Sequence, residues 1–350
     1  MRKQSLILQK REPILVASMV LLMIFSNVIL RSVAGYVFPS YWVYVVIGIL
    51  AFIFFASVDF EIFTAFSWHF YIFSVVLLLL PLVIGEVTRG AVRWIPIGSY
   101  TLQPAEIARP FLILFFAKFM TQGELTTKRF LWAVSFLMVP LVLILLQPSL
   151  GVSVLTGLGF IGVLISCDFN KKVLVTGIVL FVMYLPLSWF LLAPYQKLRV
   201  KALFMPESDP YGVGYNSMQS MISVGSGKLL GRGIGEGVQT QLMFLPEMQT
   251  DFIFASVAEE NGFLGASVLV GLITILLYCV IVVIGRAKSV VGRSYASGVF
   301  LTMFAQVTVH MGMNMGIMPI TGVPLPLVSL GGSSLLATMM MLGLVVGARK

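Results

Sequence analysis

Charge is what this sequence has least of. Only 11% of its 350 residues are Asp, Glu, Lys or Arg, while 59% are hydrophobic. A water-soluble domain of this length could not hide so much apolar surface, so the solvent is a bilayer. Cysteine is nearly absent: Cys167 and Cys279 both sit in apolar runs, which excludes a disulfide framework and reads as packing. Histidine occurs twice, at His69 and His310, with no cysteine or acid at ligand spacing, so no zinc site is expected. No linker or low-complexity tract marks off a soluble domain, and residues 1–350 read as one membrane domain. The N-terminal "MRKQSLILQKREP" runs into an apolar segment of spanning length without a small-residue cleavage pattern, so no cleavable signal peptide is expected.

What fills the chain is apolar runs of spanning length, at 13–31, 41–57, 67–85, 104–120, 130–146, 149–166, 173–193, 252–284, 295–317 and 330–348. They predict an all-α polytopic membrane protein of about ten transmembrane helices. The run at 252–284 exceeds one crossing and is expected to tilt or project. With both termini in the cytoplasm, the whole net charge of +9 falls on the inner side, and acids balance bases outside. A basic total confined to one face is a topology signal, so no nucleic-acid partner is expected.

The outer basic residues gather in two loops, 86–103 and 194–251. The second joins helices seven and eight and carries "GVGYNSMQSMISVGSGKLLGRGIGEGVQTQ". A long loop held by a rigid bundle is usually functional, and its glycines suggest a backbone approaching an anion. "GSGKLLGRG" fails as a phosphate loop: Ile222 stands where the first glycine is required and Leu229 follows Lys228 where Ser or Thr is needed. ATP binding is rejected. In "TRGAVRWIPIG", Arg89 and Arg93 are either interfacial anchors beside Trp94 or holders of a pyrophosphate, which a guanidinium fork suits.

The acids at "FLPEMQTDFIFASVAEENGFLG" are the sharpest signal. Asp251 or Thr250 can cap the helix that follows; Asp251 can equally act as a general base at the membrane rim. Glu259 and Glu260 lie about 12–14 Å further along that helix, are expected deeper, and call for partners. "QPAEIARPF" sets Pro104 at a helix start and Glu106 three residues from Arg109, an ion pair that either braces the helix or lines the cavity of Asp251. "GVPLPLVSLGGSS" breaks the last apolar region, as a turn or as a wall of the substrate site.

The blocks "RGAVRWIPIG", "QPAEIAR", "DPYGVGYNSMQSMISVGSGKLLGRG", "TQLMFLPEMQTDFIFASVAEENGFLG" and "GIMPITGVPLPLVSLGGSS" together resemble the SEDS family of shape, elongation, division and sporulation proteins (RodA, FtsW and SpoVE types). The resemblance covers nearly the whole chain and is nearer the RodA type. It implies a peptidoglycan glycosyltransferase that polymerises lipid II, a disaccharide-peptide on an undecaprenyl pyrophosphate, on the outer face of a bacterial plasma membrane. It implies Asp251 as the catalytic acid residue, with Glu106, Arg109, Glu259 and Glu260 around its cavity. Arg89, Arg93, Gln219, Lys228, Arg232 and Ser329 become the candidate substrate or pyrophosphate contacts. Arg109 replaces the family's usual lysine and His310 its usual asparagine. A class B penicillin-binding protein is the implied partner; a divalent cation could assist, with no ligand cluster declaring itself. A lipid II flippase and a non-catalytic scaffold for cell-wall enzymes stay open beside the enzyme.

Overall fold

Local punctuation sets the helix starts. The computed structural model describes residues 12–84, 86–88, 91–98, 100–123, 125–167, 193–209 and 212–349. Its helices are α1 Glu12–Val33, α2 Phe38–Ser57, α3 Phe60–Ala65, α4 Ser67–Ile84, α5 Pro104–Thr121, α6 Thr127–Leu146, α7 Leu150–Ile165, α8 Pro194–Phe204, α9 Val213–Ser226, α10 Val238–Gln241, α11 Ile253–Ile284, α12 Val290–Asn314 and α13 Gly332–Gly347. Thr126 caps α6 by accepting from the Arg129 amide, and Ser289 caps α12 by accepting from the Gly292 amide at 3.0 Å. Pro104 opens α5, where its missing N–H costs nothing.

The apolar runs become these helices to within a few residues. Six of them, α1, α2, α4, α6, α11 and α12, are long and apolar enough to cross a membrane; α7 and α13 are apolar but shorter. The expected span at 173–193 lies almost wholly outside the described residues. Exposed rows such as Ile24, Leu50, Val83 and Leu131 face outward around the bundle, the pattern of a surface solvated by lipid rather than water.

Helix α5 is the centre. It is buried from Pro104 to Ala117 on every side, among α4, α7, α12 and α13. Helix α7 reaches α12 closely because both carry glycine at the contact. A Cβ on Gly162 would lie 2.6 Å from the Ser297 carbonyl oxygen, and one on Gly298 would lie 2.9 Å from that of Gly159.

Two expectations need correction. The all-α expectation left no strands in the loop 86–103, yet β1 Glu86–Thr88, β2 Ala91–Ile97 and β3 Tyr100–Leu102 form an antiparallel sheet there in the order β1-β2-β3. The loop 194–251 holds α8, α9 and α10. The long run 252–284 does not form one tilted rod either, because Gly262 breaks α11 with φ 65° and ψ −165°. Phe263 to Ile284 alone rises about 33 Å, enough for one crossing. The preceding short helix, Ile253–Glu260, is buried throughout, whereas Phe263 and Leu264 are exposed. The break separates a protein-enclosed arm from a lipid-facing span.

Candidate active site

The two irregular blocks, 247–252 and 321–331, meet. Residues 247–252 turn around Glu247, which sits at a left-handed φ of 53° and whose carbonyl receives the amides of Thr250, Asp251 and Phe252 at 3.0–3.2 Å. Residues 321–331 turn around Leu327, at φ 61°. Left-handed backbone at non-glycine residues is costly and persists only where surroundings impose it. Here the blocks impose it on each other. The Leu330 amide donates to the Gln249 carbonyl at 2.8 Å, and the Ser329 hydroxyl donates to the Thr250 carbonyl at 2.7 Å while accepting from the Leu325 amide at 2.8 Å.

Asp251 is half-buried in this seam. Its Oδ2 lies 3.4 Å from where a side chain on Gly322 would begin, and Gly322 takes φ 68°. Phe252 occupies the cap position of α11 with no side-chain cap, and the Thr250 hydroxyl turns to Glu247. The Ala255 amide is capped instead by Asn314 Oδ1, from another helix, at 3.0 Å.

Glu106 and Arg109 form a 2.7 Å ion pair, both fully buried in the first turns of α5. Arg109 also donates to Gln306 Oε1 at 3.4 Å, and Gln306 Nε2 donates to the Pro324 carbonyl at 2.8 Å and to Ser334 Oγ at 3.4 Å. One turn along α12, His310 Nδ1 lies 2.7 Å from the Val323 carbonyl. One turn further, Asn314 Nδ2 donates to the Asp251 carbonyl at 3.0 Å. Gln306, His310 and Asn314 are thus a buried polar stripe at four-residue spacing, joining the ion pair to the Asp251 segment through the 323–325 turn. The link is indirect. Sequence reasoning missed Gln306 and Asn314, although three polar residues four apart on an apolar helix were a legible signal.

The acids Glu259 and Glu260 do find partners, and the partners are the glycine-rich loop. Glu259 accepts from the amides of Gln239 at 2.8 Å and Thr240 at 3.1 Å, capping α10. Glu260 Oε1 accepts from Ser32 at 2.7 Å, the Gly235 amide at 3.3 Å and Gln241 at 3.4 Å. The loop backbone lies against the broken turn, and Gly231, at φ 85°, would place a Cβ 2.1 Å from the Glu260 carbonyl oxygen. The anion that this backbone approaches is internal to the protein.

The two ends of the arm meet α1 at different levels. Ser32 near the end of α1 holds Glu260, whereas Ser26 holds the Val328 carbonyl at 2.7 Å. Six residues of helix separate them, about 9 Å. The seam that carries Asp251 therefore sits nearer the start of α1 than Glu260 does, and Gly262 turns the chain just beyond Glu260.

The other expected contacts scatter. Arg93 lies on β2 with its guanidinium 6.0 Å from the Trp94 ring centroid. Arg89 lies outside the described residues. Ser329 is buried and braces the Asp251 segment. Gln219 lies on α9, beside Ser220, whose hydroxyl donates to the Asn314 carbonyl at 2.9 Å. Lys228 and Arg232 are exposed, with their main chain bonded to Phe263 and Glu259 at the far end of the short arm, about 12 Å from Asp251. Among the described residues, no three of His, Cys, Asp and Glu gather at metal-binding distance.

These features define a polytopic membrane protein with a polar seam inside its bundle. The sequence profile of the FtsW/RodA/SpoVE family, described as cell cycle proteins, matches residues 10–350, and the chain belongs to that family. It is 37% identical over 305 residues to the peptidoglycan glycosyltransferase MrdB of Escherichia coli K12, covering 86% of this chain and 82% of that one. It is 33% identical over 314 residues to stage V sporulation protein E of Bacillus subtilis, covering 87% and 84%. Among solved structures, it matches a chain of a peptidoglycan synthase complex, solved for its coordination of polymerization and crosslinking, with a TM-score of 0.82 at 28% identity over 96% of both chains. The rod shape determining protein RodA of Thermus thermophilus matches with a TM-score of 0.73 at 26% identity, over 96% of this chain and 95% of that one.

Proposed function

We infer that this chain is a peptidoglycan glycosyltransferase of the elongation type, polymerising lipid II at the outer face of a bacterial plasma membrane. The observation that carries the reading is the placement of Asp251: a half-buried carboxylate beside a strained turn, where two irregular blocks of the bundle meet. Irregular backbone at membrane depth belongs where it lines a cavity. A carboxylate there is a functional group by default.

The chemistry follows from the substrate. The donor sugar is α-linked to pyrophosphate and the polymer is β-linked, so one in-line displacement inverts the anomeric carbon. Asp251 takes the proton of the acceptor's 4-hydroxyl as its oxygen bonds to that carbon, and undecaprenyl pyrophosphate leaves with the electron pair. Among the expected cations, Arg93 is the described one on the sheet that leads into α5: its strand β2 pairs with β3, and β3 runs into Gln103, whose amide donates to Ser333 Oγ at 2.8 Å beside the second block. Arg93 is proposed to neutralise the leaving group together with Arg89, and Lys228 and Arg232 to act further out. Glu106 and Arg109 support the seam through Gln306. Glu259 and Glu260 hold the loop that roofs it. The partner is proposed to be a class B penicillin-binding protein, in keeping with the synthase complex that the fold matches.

Reconstituted protein supplied with fluorescent lipid II on one face of the vesicles tests the reading. Glycan strands in wild type, with none from Asp251→Asn, support it. Movement of lipid II across the bilayer without polymer would replace it with the flippase.

A further inference from the structure

Asn314 ends α12, is fully buried, and commits every polar atom of its side chain. Nδ2 donates to the Asp251 carbonyl at 3.0 Å and to the His310 carbonyl at 2.7 Å; Oδ1 accepts from the Ala255 amide at 3.0 Å. Its own carbonyl receives the Ser220 hydroxyl from α9 at 2.9 Å. Ala255 is the third residue of α11, the amide that an N-cap side chain ordinarily takes. Phe252 cannot supply that oxygen, so Asn314 supplies it from a neighbouring helix while gripping the residue just before the cap.

We propose that Asn314 is a positioning residue for the reaction: its amide fixes the peptide of Asp251 and so aims the carboxylate. The inference rests on the glycosyltransferase reading. The preceding peptides are held from the other side, by Ser329 at Thr250 and Leu330 at Gln249. Asp251 is therefore where the two anchorages meet, and releasing one lets the segment swing toward the other. A displacement of about 1 Å at a reacting group is enough for a hundredfold loss of rate.

Two substitutions separate this role from a purely structural cap. Asn314→Asp keeps an acceptor for Ala255 and removes the donor to Asp251; Asn314→Leu removes both. The measurements are glycan synthesis against lipid II concentration, and amide hydrogen exchange of residues 249–258. Both variants are expected to lose turnover by about tenfold or more, with KM within about threefold. The Ala255 amide should exchange slowly in wild type and in Asn314→Asp, and fast in Asn314→Leu. Turnover of Asn314→Asp within twofold of wild type, or a loss confined to KM, overturns the proposal. If both variants unfold, wild type still decides, since an Ala255 amide exchanging as fast as those of Ile253 and Phe254 denies the bond. Wild type that makes no glycan would sink the glycosyltransferase reading, while the exchange result would still report on the bond from the Ala255 amide to Asn314.

Discussion

The short buried arm from Asp251 to Glu260 has an acid at each end, and the two ends are built differently. At Glu259 and Glu260 the carboxylates themselves are the joints: five donors from the loop and from α1 converge on them. At Asp251 the joints run through the main chain, with Glu247 receiving its amide and Asn314 holding its carbonyl. An acid used as a hydrogen-bond hub stabilises a fold. An acid whose main chain is held at both its amide and its carbonyl, on a turn strained at Glu247, is placed for something other than stability. The same contrast separates the two loops' glycines: those at 231 and 235 serve the approach to the Glu260 end, while Gly322 leaves room beside Asp251.

The largest effect that would break this comparison is at Asp251. Asp251→Asn should reduce polymerisation by about 10²–10⁴-fold, the usual worth of a general base, with the melting temperature in detergent unchanged. Next comes the ion pair of α5. Arg109→Ala leaves Glu106 buried without its cation and should cost about 3–5 kcal/mol of stability, read by thermal melting. Arg109→Lys keeps the charge and shortens the reach to Gln306, for a loss of about 1 kcal/mol. Glu259→Gln halves the acceptors facing Gln239 and Thr240 and should cost about 1–3 kcal/mol, with turnover per folded molecule retained. The smallest effect is expected at Glu260→Gln, about 1 kcal/mol or less, because its three donors all sit on one oxygen.

The helices were legible because lipid demands long apolar runs, and such runs announce themselves locally. Run 104–120 became Pro104–Thr121, and 252–284 became Ile253–Ile284. Run 295–317 shifted to Val290–Asn314 because Ser289 caps an earlier start and Gly316, at φ 72°, ends the helix sooner. The break at Gly262 was hidden. What forces it is distant: a Cβ there would lie 2.2 Å from the Gly231 amide nitrogen and 2.6 Å from the Leu229 carbonyl oxygen. The place of Glu259 and Glu260 was hidden for the same reason, since counting 1.5 Å per residue assumes a helix that runs straight on, and Gly262 turns the chain just beyond them. The site was legible as acids in the wrong solvent. Its supports were legible only as a pattern: the four-residue spacing of Gln306, His310 and Asn314 stands in the sequence, but what Asn314 holds does not, because the Ala255 amide and the Asp251 carbonyl arrive from 59 and 63 positions away.

Glycan synthesis by Asp251→Asn and Glu259→Gln, measured side by side with wild type on lipid II at a temperature below all three melting transitions, tests the account most directly. The account predicts long strands from wild type and Glu259→Gln and none from Asp251→Asn. Strands from Asp251→Asn, or their loss in a fully folded Glu259→Gln, would contradict it.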